Sequence, residues 1–158
     1  MLVVELSGPK VTDATLACLR GLPALETLVL DGKQITDSGL KQSAGIATLR
    51  RLLLRDTSVT DDGLVHLKDL RGLKLLSLCG SEITDAGLVH LKALGELKSL
   101  DLSRTTVTDA GVEALAAIAK LEAVRLDDTS ISDQAVAALN RIRPMLQIER
   151  RRRWTDSP

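Results

Sequence analysis

The sequence predicts an α/β solenoid, a right-handed arc with a parallel sheet on its concave face and helices on its convex face. Three observations predict it. Aspartate stands at positions 13, 37, 61, 85, 109 and 133, a step of 24 residues with no insertion or deletion. Within each unit the apolar spacing changes from two residues to three. One such unit is also too small to bury both of its apolar faces, so units must stack. Repeats begin at residues 1, 25, 49, 73, 97 and 121, and Met145 opens a seventh with a closing strand at 145–149. The repeat domain thus occupies 1–149, and a basic tail occupies 150–158.

The unit is clearest in residues 97–120, LKSLDLSRTTVTDAGVEALAAIAK. Leu97, Leu100 and Leu102 are apolar, with Ser99, Asp101 and Ser103 between or beside them, the signature of a strand with one buried face. Val112, Leu115 and Ile118 then recur every three residues on one face of a helix. Thr108 suits the helix N-cap, and Asp109 in the first turn suits the positive end of the helix dipole.

The columns hold from unit to unit. The first reads Met1, Leu25, Leu49, Leu73, Leu97, Leu121 and Met145. The fourth reads Val4, Leu28, Leu52, Leu76, Leu100, Val124 and Ile148. Two helix columns read Leu16, Leu40, Leu64, Leu88, Val112, Val136 and Leu22, Ile46, Leu70, Leu94, Ile118, Ile142. Strands stack about 4.8 Å apart and helices at about twice that, so the array must curve with its strands inside.

The pattern LxxLxLxxTxVTDxGLxxLxxL resembles a leucine-rich repeat of the 24-residue bacterial, planctomycete-like type, and residues 52–67, LLLRDTSVTDDGLVHL, carry it clearly. It is also similar to the cysteine-containing repeats of F-box receptors. The column where that type often has cysteine holds Pro9, Lys33, Thr57, Ser81, Thr105 and Thr129 instead, and no F-box precedes the repeats. The resemblance implies a leucine-rich repeat horseshoe that presents a surface to a partner. The segment AVAALNRIRPMLQIE is similar to the helix, proline and final strand that close such bacterial arrays.

Composition narrows the function class. The formal net charge is zero, so no strongly charged partner is implied. Cys18 and Cys79 fall in different columns and are not expected to meet, which favours a reducing compartment. MLVVELSGPK carries charge too early for a signal peptide, and no apolar run spans a membrane. A cytoplasmic location is expected. No phosphate-cradling glycine loop, nucleophile elbow or metalloprotease helix occurs, so no enzyme activity, cofactor or metal is implied.

The open face of the sheet is the first candidate site. Val29, Leu53 and Leu75 point outward where alternation asks for polar residues, with Arg51 and Arg55 flanking and Asp31 beside. Asp101 and Arg125 continue the same face. Apolar groups edged by arginine suggest a protein-binding patch. The absence of Phe and Tyr argues for modest affinity.

Three further candidates are weaker. His66 and His90 both lie in GLVHLK; neighbouring imidazoles could share a metal, but duplication of one repeat explains them without it. The aspartate ladder invites a calcium reading, but a role at the helix starts needs no ion. Arg141, Arg143 and Arg150 to Arg153, with Trp154, could hold phosphate or nucleic acid; an edge-blocking cap explains them better.

The first strand has no polar cap before it. Val3, Val4 and Leu6 would leave an edge open, giving a homodimer as the alternative function. The leading expectation is a non-catalytic module that binds another protein.

Overall fold

The computed structural model describes residues 2–22 and 24–151. Met1, Pro23 and residues 152–158 lie outside them, and with them most of the expected tail, including Arg152, Arg153 and Trp154. Seven strands, β1 Leu2–Leu6, β2 Leu25–Asp31, β3 Arg51–Arg55, β4 Leu75–Ser77, β5 Ser99–Asp101, β6 Ala123–Arg125 and β7 Gln147–Glu149, form one parallel sheet in sequence order. Each strand pairs with its counterpart one unit on. Leu28 faces Leu52, Leu52 faces Leu76, and Leu100 faces Val124.

Alternation decides which face is buried. Leucines of the first, fourth and sixth columns, such as Leu49, Leu52 and Leu54, turn inward onto helix residues such as Leu64, Leu67 and Leu70. These form one cluster that runs through the whole array. A second ladder closes the loops behind the strands. Ser58 N–H donates to Ile35 C=O at 2.9 Å, and Glu82 N–H to Val59 C=O at 2.9 Å.

The outer layer departs from the uniform helices expected. The α-helices are α1 Asp13–Ala17, α2 Asp37–Ser43, α3 Asp61–Leu64, α4 Val112–Ala116 and α5 Asp133–Ile142. Tighter 3₁₀ turns extend or replace them at Cys18–Gly21, Val65–Asp69, Gly87–Ala93 and Asp109–Gly111. Apolar residues at a spacing of three are compatible with 3.0 residues per turn, but α5 keeps the α-helical winding with the same spacing at Val136, Leu139 and Ile142.

The aspartates act differently from the reading above. Each carboxylate reaches forward to the next unit. Asp37 Oδ1 accepts the N–H of Thr60 at 2.8 Å, and its Oδ2 accepts the Thr60 hydroxyl at 2.8 Å. Asp13 holds Thr36, Asp61 holds Thr84, Asp85 holds Thr108 and Asp109 holds Ser132 in the same way. Both carboxylate oxygens are therefore occupied by protein donors. The held hydroxyl then caps its own helix, as Thr60 Oγ1 accepts from Asp62 N–H at 3.3 Å. Glycine follows two residues after each interior aspartate for a steric reason. A Cβ on Gly63 would collide with Asp37 Oδ1, and one on Gly87 with Asp61 Oδ1. Ala135 carries a Cβ at this column, in the one unit whose helix winds as a long regular α-helix.

The two ends of this ladder have their own solutions. In the first unit Thr15 replaces the glycine, and its hydroxyl accepts the Thr12 N–H at 3.2 Å. At the last rung Arg150 Nη2 pairs with Asp133 Oδ1 at 2.9 Å. Arg150 therefore turns inward rather than blocking the edge from outside.

A further correction concerns the closing strand, which spans Gln147–Glu149 rather than 145–149. Met145 is 90% exposed, and Leu146, 6% exposed, enters the core instead. Ile142 is also exposed, at 57%. Ten residues of regular α-helix in α5 rise about 1.5 Å each, against about 2.0 Å in a 3₁₀ turn. The helix thus runs further along the sequence, and the turn into the strand begins one residue late. Leu146 N–H bonds Arg143 C=O at 3.0 Å, where earlier units use the preceding column, as in Leu121 N–H to Ile118 C=O at 3.2 Å.

Two predictions follow from this packing. Leu76→Ala empties a fully buried site and should cost about 2–5 kcal/mol in equilibrium denaturation, whereas Leu53→Ala on the open face should cost under about 1 kcal/mol. The second concerns acid. The Ser132 N–H, and then its hydroxyl, hold the Asp109 carboxyl below its ordinary value of 3.8. A depressed folded-state pKa gives stability that is complete above the unfolded value and is lost as pH falls through the folded one. The stability gap between the native chain and Asp109→Asn should therefore narrow as pH drops below about 3.8. A gap unchanged down to strong acid would show that the carboxylate charge plays no part.

Candidate interaction surface

The face of the sheet opposite the helices carries the third, fifth and seventh columns. Since core packing uses the other columns, these side chains are free to differ between units. The structure places the predicted residues in two groups. Leu53, Arg55, Leu75, Asp101 and Arg125 line a shared groove of about 410 Å³ across β3 to β6. Arg51 lines a separate smaller hollow with Glu26, Thr27, Arg50 and Lys74. Val29 is on the same face but only 8% exposed, so it contributes less surface than alternation suggested. Asp31 is partly exposed at the end of β2, in register with Arg55.

The groove has an apolar floor and charged walls. Leu53 and Leu75 are half-buried, as is Ala123 beyond them. Arg125 donates to Glu149 Oε2 from Nε at 2.9 Å and from Nη2 at 2.7 Å. Arg104 pairs with Asp56. Asp101 accepts the Ser103 N–H at 3.0 Å and the Ser77 hydroxyl at 3.3 Å. These ion pairs are exposed, so they fix side-chain positions more than they stabilise the fold.

Several lining residues escaped the sequence reading. Arg104 and Asp56 belong to the eighth column, which alternation assigns to no face. That column is left-handed throughout, with φ of +97° at Gly8, +120° at Gly32, +50° at Asp56, +70° at Gly80, +58° at Arg104 and +54° at Asp128. The turn brings the side chains of Asp56 and Arg104 onto the rim. Glycine at three of the six positions was the available signal. Cys79 also lines the groove. Burial chiefly, and then the Asp101 carboxylate, push its thiol above the ordinary 9.0, while Arg55 and Arg125 pull the other way.

The remaining candidates are dispersed. Val3 is 50% exposed on the outer strand, with Val4 and Leu6 partly buried against the core. Arg143 is committed to backbone, its guanidinium donating to the carbonyls of Ala116, Ile118 and Leu121 at 2.9 Å each. With Arg150 on Asp133, the described part of the basic end does not assemble a phosphate site. Among the described residues no three His, Cys, Asp or Glu side chains gather to hold a metal. No helix among them is long and apolar enough to cross a membrane. Cys18 and Cys79 are free thiols.

A family model described as a leucine-rich repeat matches residues 97–116. The protein is a leucine-rich repeat solenoid. Solved structures agree on this fold. Internalin C2 of Listeria monocytogenes superposes with a TM-score of 0.69 at 28% identity, over 93% of this chain and 60% of that one. A leucine-rich repeat protein of Leptospira interrogans gives 0.65 at 19%, over 94% and 37%. A TLR13–ssRNA13 complex gives 0.65 at 25%, over 84% and 20%. The leucine-rich repeat chain thus spans 60% or less of the length of each. No curated protein matches its sequence.

Alkylation of Cys79 tests the groove's electrostatics. In a Cys18→Ser background its iodoacetamide rate should rise to half-maximum above pH 9.0. Asp101→Asn should lower that midpoint and Arg55→Gln should raise it. Shifts of the opposite sign would mean that the charges are not arranged around the thiol in this way.

Proposed function

We propose that this leucine-rich repeat array is a non-catalytic module that binds another protein through its open, concave sheet face. Leucine-rich repeat folds typically serve protein–protein recognition. The observation that carries the reading is the groove across β3 to β6. There the half-exposed leucines Leu53 and Leu75 lie among arginines, on side chains that the core does not use. Apolar groups with arginine at the rim are the composition of binding hot spots.

An affinity capture from the source cell tests it. Leu53→Asp should weaken recovery of the partner while the circular-dichroism melt stays nearly unchanged. Lys68→Ala, on the helical side, should leave recovery unaltered. Binding that survives every substitution on the sheet face would move the interface elsewhere.

A second reading is self-association through β1, which is favoured by exposed Leu2 and Val3 on an unpaired edge. Sedimentation separates the two. The dimer reading expects mass to rise with concentration, and Val4→Lys to hold the chain monomeric.

A further inference from the structure

We infer that the partner segment seated on this face is extended and carries an apolar side chain between two carboxylates. The inference rests on the sheet-face reading above and supplies the chemistry of the partner. Along β3 the outward residues are Arg51, Leu53 and Arg55, in strict alternation. Both arginines are exposed, and neither forms an ion pair or side-chain hydrogen bond among the described residues. The other guanidiniums lining the groove are already matched, Arg125 by Glu149 and Arg104 by Asp56. Asp31, although in register with Arg55, does not close a bridge to it. Two unmatched cations therefore bracket the apolar centre of the face.

Spacing selects the conformation. Four residue steps along the strand separate the two arginines, a span of roughly 13 Å. Carboxylates four apart on a helix lie only about 6 Å from each other and would reach one arginine at a time. In an extended segment the same sequence separation covers about 13 Å, and the residue midway points to the same side. An acidic, apolar, acidic alternation thus matches Arg51, Leu53 and Arg55 in one register. Leu75, in register with Arg51, and Val29, in register with Leu53, widen the apolar seat. Nucleic acid fits less well. The same face carries Asp31, Asp101 and Glu149, and it has no aromatic ring on which a base could stack.

The test is selection of short random peptides, displayed and panned against the full chain. Enriched peptides should share Asp or Glu, any residue, Leu, Ile or Val, any residue, then Asp or Glu. The leading synthetic peptide should lose about tenfold in affinity against the Arg51→Glu, Arg55→Glu double variant, the scale of two exposed ion pairs. Affinity should return when both of its acidic residues become lysine. Peptides that depend on Leu53 but show no acidic pattern overturn the inference and leave the sheet-face reading standing. Binding that ignores both Leu53→Asp and the arginine reversal overturns the two together. Oligouridine that binds the native chain, and is lost in the arginine variant, overturns the inference in favour of phosphate. An absence of any enrichment also overturns it, since a linear segment is what it requires.

Discussion

A carboxylate that grips the next unit sets the rest of this fold. Each interior aspartate accepts both the N–H and the hydroxyl of the residue that opens the following helix, at a separation of 23 residues. Charged acceptors make stronger hydrogen bonds than neutral ones, and two bonds to one carboxylate fix direction as well as distance. Slipping a unit by one residue would break the pair and turn every strand side chain to the opposite face. The clamp therefore keeps the register of the sheet, and with it the identity of the outward columns. It also explains why glycine recurs beside it, because the carboxylate occupies the space a side chain would need.

This arrangement separates holding from recognition. The clamp, the leucine columns and the loop ladder repeat from unit to unit with little change. The outward columns do not repeat. The third reads Thr27, Arg51, Leu75, Ser99 and Ala123 through the middle of the array, and the fifth reads Val29, Leu53, Ser77, Asp101 and Arg125. Apart from Thr27, Val29 and Ser77, which are buried, these positions are open enough for their chemistry to be set by whatever the face meets. Several buried hydroxyls are tied off locally, while that of Ser103 has no partner among the described residues. The Thr57 and Ser81 hydroxyls, in one column of neighbouring units, meet at 2.9 Å.

The architecture was legible because strict periodicity is itself a geometric statement. Alternation at Leu52 and Leu54 and the 24-residue step predict the parallel register and the buried columns. Other features were not legible, each for a physical reason. The spacing of Asp37 cannot distinguish a bond within its own unit from one to Thr60, since both begin at the same helix start. The exposure of Met145 depends on the rise of α5, which differs from that of the earlier turns. The groove needed the left-handed eighth column, through which Arg104 and Asp56 reach the rim. The sequence also does not separate the matched arginine, Arg125, from the unmatched Arg51 and Arg55. That distinction depends on which carboxylate lies within reach across neighbouring strands.

The terminal rungs bear on how such an array can lengthen. A unit copied from the interior carries both its own aspartate and the glycine that makes room for the aspartate before it. It can be spliced between any two interior neighbours without altering either. The first unit cannot be copied inward on the same terms, because the Thr15 hydroxyl already takes the Thr12 N–H that a preceding carboxylate would accept. A further rung at Asp133 would have to displace Arg150 from its oxygen. A copy inserted in the middle meets neither obstacle. The identical stretch GLVHLK at residues 63–68 and 87–92 lies in that interior.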